Sequence, residues 1–333
     1  MGGTSGRRAA SFGIAALLAA VLLYWSLRGI EWRQVSRIVT GADPRGLGLA
    51  MSVATLTLFL RACRWRVLLN AEGSVAVPTA FWATAAGYFG NNFLPARAGE
   101  VVRTYMISSR TGLQVPFVLA TALSERVVDA IALVTIGAVV LLILPAQSGW
   151  LLGAVRLFAV LALVGALAIG VLPLFGSLVG ALIGRLPLSS GPRETLATIL
   201  EQGLRGMRAF HDVRRLSAFL GLTAMIWSLD AIGTVIGGAA LGFRIPLAVA
   251  FLLLAGLGLG SALPSAPGYV GIYQFAAVTV LTPFGFSRTD AIAYILVAQA
   301  CMYVVIGFWG ALGLWHHRRS MRQSPLASQP PST

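Results

Sequence analysis

The sequence predicts an all-α polytopic membrane protein with about six full spans, two broken re-entrant helical hairpins and an inverted repeat. Three observations carry that expectation. Of 333 residues, 57% are hydrophobic and 11% charged, against roughly 25% charged in an ordinary soluble domain. Six apolar stretches, 10–28, 46–69, 115–144, 150–173, 216–242 and 289–315, approach or exceed the ~20 residues that cross a bilayer as a helix. Two more, 78–107 and 246–283, are interrupted by the same Leu-Pro-x-x-x-Gly pattern at 94–99 and 263–268. Proline removes a backbone donor and glycine frees the chain from helical dihedrals. Lipid cannot satisfy the peptide groups so released, and paired breaks in two halves of a chain point to a transport site.

In order along the chain, residues 1–9 carry Arg7 and Arg8 and form a short cytoplasmic amino terminus. The first apolar stretch lacks a small-x-small cleavage site leading into a soluble domain, so it reads as a retained span. The second ends in Arg61, Arg64 and Arg66 around Trp65, which reads as an interfacial anchor in reach of lipid headgroups. The first break and the third span follow, then a fourth span and a polar insertion over 174–215. There Leu196, Leu200, Leu204, Met207 and His211 recur at helical spacing opposite Glu194, Glu201, Arg205, Arg208 and Asp212, the pattern of an amphipathic helix on the cytoplasmic surface. The fifth span, the second break and the sixth span complete a membrane domain over 10–315. The polar, proline-bearing 316–333 reads as a disordered cytoplasmic tail.

Arginine placement orients the domain. All 25 basic residues are arginine. With the amino terminus inside and both breaks re-entrant, seventeen arginines fall inside and six outside, as the positive-inside rule requires. Both termini are then cytoplasmic, in a bacterial inner membrane. The same topology makes residues 10–144 and 150–315 two copies entering from opposite faces. Gly87, Leu94, Pro95 and Gly99 match Gly256, Leu263, Pro264 and Gly268 at a constant offset of 169, and Arg61 falls opposite Asp230.

Charges inside apolar regions are costly enough to be functional candidates. Around the first break stand Asn91, Asn92, Pro95, Arg97, Gly99, Glu100 and Arg103, and the third span carries Glu125, Arg126 and Asp129. Glu125 and Asp129 are i, i+4 neighbours that repel unless a cation lies between them, with Arg97 or Arg103 the expected cation. The six charges sum to zero. They read either as a structural lock or as a cavity lining whose arginines exchange carboxylates for a lipid phosphate. The second break is neutral, with Pro264, Ser265, Pro267, Gly268, Gly271, Tyr273 and Gln274. The half-helix after Pro267 is expected to offer free amides suited to a phosphate. Asp230, beside Trp227, reads as a proton-coupling site or, preferably, as a partner for an arginine.

The net charge of +14 comes from arginines clustered between apolar spans, which argues against nucleic-acid binding. Cys63 and Cys301 lie in or beside spans without metal-site spacing, and His211, His316 and His317 lie outside the apolar core. Neither a nucleophile elbow nor a phosphate loop is present, and there is no lysine to complete one. No metal, cofactor or catalytic residue is therefore expected.

The run Gly87 to Arg103, the Glu125-Arg126-Val127-Val128-Asp129 group and Pro264-Ser265-Ala266-Pro267-Gly268-Tyr269-Val270-Gly271 together resemble the lysylphosphatidylglycerol synthase transmembrane region family, also called flippase-like. The resemblance implies lipid handling. It directs attention to Asn92, Pro95, Arg97, Gly99, Glu100, Arg103, Glu125, Arg126, Asp129, Pro267, Gly268 and Gly271. The expected function is a translocase for a phospholipid or a polyprenyl- or hopanoid-type lipid. The alternatives are a non-catalytic partner of a separate lipid or glycan synthase, and an intramembrane transferase using Glu125 or Asp129 as base. Expected partners are membrane lipids, with a synthase or a second copy of the chain beside them.

Overall fold

The computed structural model describes residues 17, 19–94, 98–143, 149–176, 190–261 and 267–323. Pro95, Arg97, Pro264 and Ser265 lie outside the described residues, as do 1–16 and 324–333. The described chain is helical throughout and contains no strand. After the helical residues 19–27 come α1 (Trp32–Thr40), α2 (Pro44–Leu69), α3 (Val77–Phe93), α4 (Gly99–Thr111), α5 (Val115–Ile143) and α6 (Gly149–Val171). The second half continues with α7 (Ser190–Arg208), α8 (Val213–Ala240), α9 (Leu247–Gly260), α10 (Ile272–Leu281) and α11 (Arg288–Gln323). Among the described residues, α2, α8 and α11 contain stretches long and apolar enough to cross a membrane.

Helix bounds repeat with the offset found in the sequence. Adding 169 carries α2 onto α8, α3 onto α9, α4 onto α10 and α5 onto α11 within a few residues at each amino-terminal end. The caps repeat too. Asp43 accepts from the amides of Arg45 and Gly46, each at 3.0 Å, and Asp212, 169 residues on, accepts from Arg215 at 2.9 Å. Each satisfies donors that a helix start leaves unpaired.

The halves meet along α2 and α8. Gly46 lies against Ala240, Val53 against Gly233, and Arg61 against Asp230, so numbers rise on one helix as they fall on the other. The pair is antiparallel, as two inverted halves demand. Small residues let the backbones approach closely. Because Arg61 and Asp230 are equivalent positions that touch, they stand beside the pseudo-two-fold axis. The third long helix of each half crosses over: α5 lies on α9 and α11 on α3. Gly258 receives Leu133, and Gly310 receives Phe89.

Each broken stretch folds back on itself. In the first hairpin Gly87 faces Arg103 and Gly90 faces Gly99. In the second Gly256 faces Val280 and Gly260 faces Ile272. With 17, 13, 14 and 10 residues, all four arms are shorter than a full span.

The structure corrects or adds to the sequence reading at three places. The carboxy-terminal tail is helical as far as Gln323. Arg319 lies 3.8 Å from the Trp315 ring centre one turn back, and His316 lies against Trp82, so polar residues extend the helix beyond the apolar span. The insertion helix α7 does more than rest on a surface: Leu204 is buried, and Gly206 meets Phe117 and Ala120 at the start of α5. Helix α1, unforeseen in the sequence, is pinned to α11 by the Glu31 amide donating to Thr289 and by Gln34 donating to Asp290, both at 3.3 Å.

A Cβ on Gly99 would overlap the Gly87 carbonyl, and one on Gly268 would overlap the Tyr303 hydroxyl at a φ of +72°. Gly99→Ala and Gly268→Ala are each expected to cost at least about 1–3 kcal/mol, read as a lowered thermal unfolding midpoint in detergent. Gly153→Ala, where no atom lies within 4 Å, is expected to leave the midpoint unchanged or raise it.

Candidate functional site

Six charged side chains form one alternating series through the first half: Asp129, Arg64, Glu125, Arg103, Glu100, Arg126. Arg64 is fully buried. Its Nε and Nη2 donate to Glu125 at 3.2 and 2.7 Å, Nη1 and Nη2 donate to Asp129 at 2.6 and 2.8 Å, and Nη1 donates to Thr223 at 3.1 Å. That is five bonds, one for each N–H a guanidinium carries. Glu125 turns its other oxygen to Arg103 at 2.8 Å, and Arg103 also donates to Glu100 at 2.5 Å and to the Ala122 carbonyl at 3.2 Å. Glu100 finally accepts from Arg126 at 2.8 Å. Trp65 and Phe219 place ring faces 4.5 Å from Arg103 and 4.9 Å from Arg64.

The cation between Glu125 and Asp129 is therefore Arg64, joined on Glu125 by Arg103; Arg97 lies outside the described residues. The interfacial reading of Arg61 and Arg64 is overturned as well. Both are inside the bundle, Arg61 against Asp230 at 2.5 Å. Only Arg66 of the three stays near the helix end, where it donates to the Val75 carbonyl at 2.5 Å. The sequence signal was there: Arg61 and Arg64, three apart, share one face of a mostly apolar helix.

The two breaks are secured by different chemistry. At the first, the Asn91 carbonyl oxygen accepts from the Gly99 amide at 3.0 Å while its amino group donates to Glu100 at 3.3 Å. Asn92 donates to the Tyr88 carbonyl at 2.9 Å. At the second, the Gly271 amide donates to Gln274 at 2.7 Å, Gln274 donates to Gln299 at 2.6 Å, and Gln299 and Tyr303 both donate to the Gly268 carbonyl, at 2.8 and 2.5 Å. Of the amides after Pro267 expected to be free for a phosphate, that of Gly271 is taken by Gln274. Gln299 and Tyr303, both missed in the sequence, hold this loop. Its backbone needs the help: Gly268, Tyr269 and Gly271 all have positive φ, a region costly for a tyrosine.

Between the halves lies a cavity of about 620 Å³, within the range of small-ligand sites. One pole is polar, formed by Arg61, Tyr88, Asn91, Asn92, Glu100, Arg126, Asp129, Trp227 and Asp230; the rest is mostly apolar, with Leu133, Leu241, Leu254, Leu257, Val297 and Ile306. Tyr269, Tyr273 and Gln299 bring the second break to the same space. Arg61 and Arg126 reach the Tyr88 ring at 5.8 and 5.4 Å, and Arg61 lies 5.2 Å from Trp227. Arg126 is 38% exposed while Arg64 and Arg103 are buried, so the charged series reaches the cavity wall at both ends, Asp129 and Arg126, and is closed off in the middle. Among the described residues no cluster of His, Cys, Asp and Glu is suited to a metal ion. Pro267 and Gly268 lie at the second break, and the backbone there touches Tyr303.

The family model described as the lysylphosphatidylglycerol synthase TM region matches residues 11–310. The chain belongs to that family. It is 28% identical over 295 residues to "Glycosyltransferase AglD" of Haloferax volcanii, covering 78% of this chain but 46% of that one. The chain thus spans about half the length of that relative. It is 24% identical over 310 residues to a "UPF0104 membrane protein" of Methanothermobacter thermautotrophicus, covering 86% and 88% of the two chains. It is 21% identical over 241 residues to "UPF0104 membrane protein MJ1078" of Methanocaldococcus jannaschii, covering 71% and 97%. No solved structure matches.

Breaking a buried pair leaves a charge uncompensated, at about 3–5 kcal/mol. Arg64→Met is expected to destabilise the protein by that order, and the triple change with Glu125→Gln and Asp129→Asn to recover a substantial part. Thermal or denaturant unfolding in detergent checks both.

Proposed function

We propose that this member of the lysylphosphatidylglycerol synthase TM region family carries a lipid between the leaflets of the bacterial cytoplasmic membrane, with both termini on the cytoplasmic side. The observation that supports it best is the amphipathic cavity between the halves. A lipid is polar at one end and apolar along the rest, and so is this space. The headgroup lies against Arg61, Tyr88, Asn92, Glu100 and Arg126, with the chain along the leucine-rich remainder. The antiparallel halves supply a way to move it, since the cavity can open to either side by rocking one half against the other about Arg61 and Asp230.

The name of the Haloferax relative supports a second reading, in which the domain assists a separate glycan synthase without itself catalysing. A transferase using Glu125 or Asp129 as base draws no support from geometry. Glu125 and Asp129 are held as acceptors by arginine, as in a clamp.

The test reconstitutes the purified protein in vesicles doped with a fluorescent phospholipid or glycolipid and quenches the outer leaflet with dithionite. Quenching beyond the outer-leaflet fraction is expected. Arg61→Gln and Arg126→Gln, at the cavity wall, are each expected to slow it about tenfold, equivalent to ~1.4 kcal/mol; Arg126→Gln, after which Glu100 keeps Arg103, is expected to do so with an unfolding midpoint close to the parent's. Quenching confined to the outer leaflet for every tracer overturns the translocase reading; co-purification with a synthase then favours the second.

A further inference from the structure

We propose that the polar pole of the cavity recognises an uncharged, polyhydroxylated headgroup, a sugar carried on a lipid, in preference to a phosphate or an ammonium. This rests on the translocase reading only in taking the cavity as the seat of a lipid. The first support is the balance of charge. The pole presents Arg61 and Arg126 with Glu100, Asp129 and Asp230, and Arg64 stands directly behind Asp129, giving three charges of each sign. Each arginine already has a carboxylate partner. A net-charged headgroup would have to draw one ion away from its partner and leave the other stranded in a largely apolar surround. A neutral headgroup need break none of these pairs.

The second support is what the pole leaves unspent. The Asn92 carbonyl oxygen and the Trp227 indole N–H have no hydrogen-bond partner among the described residues, although the two residues are 4% and 8% exposed. Both residues line the cavity. An unmet buried polar group is costly unless a ligand or water meets it. One is an acceptor and the other a donor, and a hydroxyl serves either.

The third is the shape of the wall. Tyr269 and Tyr273 stack with ring centres 4.8 Å apart and planes 8° from parallel, and both line the cavity. The slightly positive C–H face of a sugar ring packs on the negative face of an aromatic ring. A volume of about 620 Å³ accommodates a sugar and the start of its chain.

The experiment uses the full-length protein in detergent and native mass spectrometry with three lipids of matched chains: glucosyldiacylglycerol, phosphatidylglycerol and lysylphosphatidylglycerol. The glucosyl lipid is expected to be retained about tenfold better than either charged lipid. Trp227→Phe, which keeps an aromatic ring but loses the N–H, and Asn92→Leu are each expected to weaken its retention about tenfold without weakening that of phosphatidylglycerol. Trp227→Phe carries the test if Asn92→Leu fails to fold. Equal or better retention of either charged lipid, no retention of the glucosyl lipid, or unchanged retention in Trp227→Phe overturns the proposal. Fluorescent versions of the same lipids in vesicles keep the two readings apart. Selective binding of the glucosyl lipid with no lipid crossing removes the translocase reading and upholds the headgroup assignment. Crossing by phospholipid with no preference for the sugar does the reverse.

Discussion

Everything in the first half hangs on the guanidinium of Arg64. Glu125 and Asp129 occupy one face of α5, a turn apart, and two carboxylates so placed inside an apolar bundle are untenable alone. A single arginine from α2 enters between them, spends all five N–H groups and reaches Thr223 on α8 with the last. A lysine could not do this, since its ammonium has three donors and no fork. Three helices are thereby fixed in rotation as well as in distance. Glu125 then orders Arg103, Arg103 orders Glu100, and the first hairpin is tied to the same post.

The two halves share a scaffold but differ in the chemistry that holds their hairpins. The first is bound by ionised pairs, each worth about 1.5–3 kcal/mol where charge assists the hydrogen bond. At the second, the bonds made by Gln274, Gln299 and Tyr303 are neutral, worth about 0.5–1.5 kcal/mol each, around a loop in which Gly268, Tyr269 and Gly271 have positive φ. Because α5 lies on α9 and α11 on α3, neither hairpin moves without reaching the long helix of the other half.

Much of this architecture was legible in the sequence because its signals are local. Proline and glycine mark breaks whatever surrounds them, and an offset of 169 needs only counting. It even brought Arg61 and Asp230 to the same position, where the structure joins them. The site was less legible because its partners are remote. Arg64 meets Glu125 across 61 residues, and helical spacing reveals a face but not what it faces. Arginines near a span's end look like membrane anchors by the same statistics that hide a buried one. Gln299 and Tyr303 gave no signal beyond being polar in an apolar helix. The helical tail escaped because a polar sequence was read without the aromatic contacts that steady it.

The contact between Arg61 and Asp230 has a consequence for ancestry. If one half once paired with an identical copy of itself, whatever stood at this position met its own duplicate across the axis. Two arginines or two aspartates would repel there; an arginine and an aspartate cannot arise in such a pair while the copies remain identical. Only after the two copies were encoded separately, free to mutate independently, could opposite charges be placed face to face. The pair is thus a one-way step, and a half excised from this chain carries a lone ion on the surface where it would seek a twin.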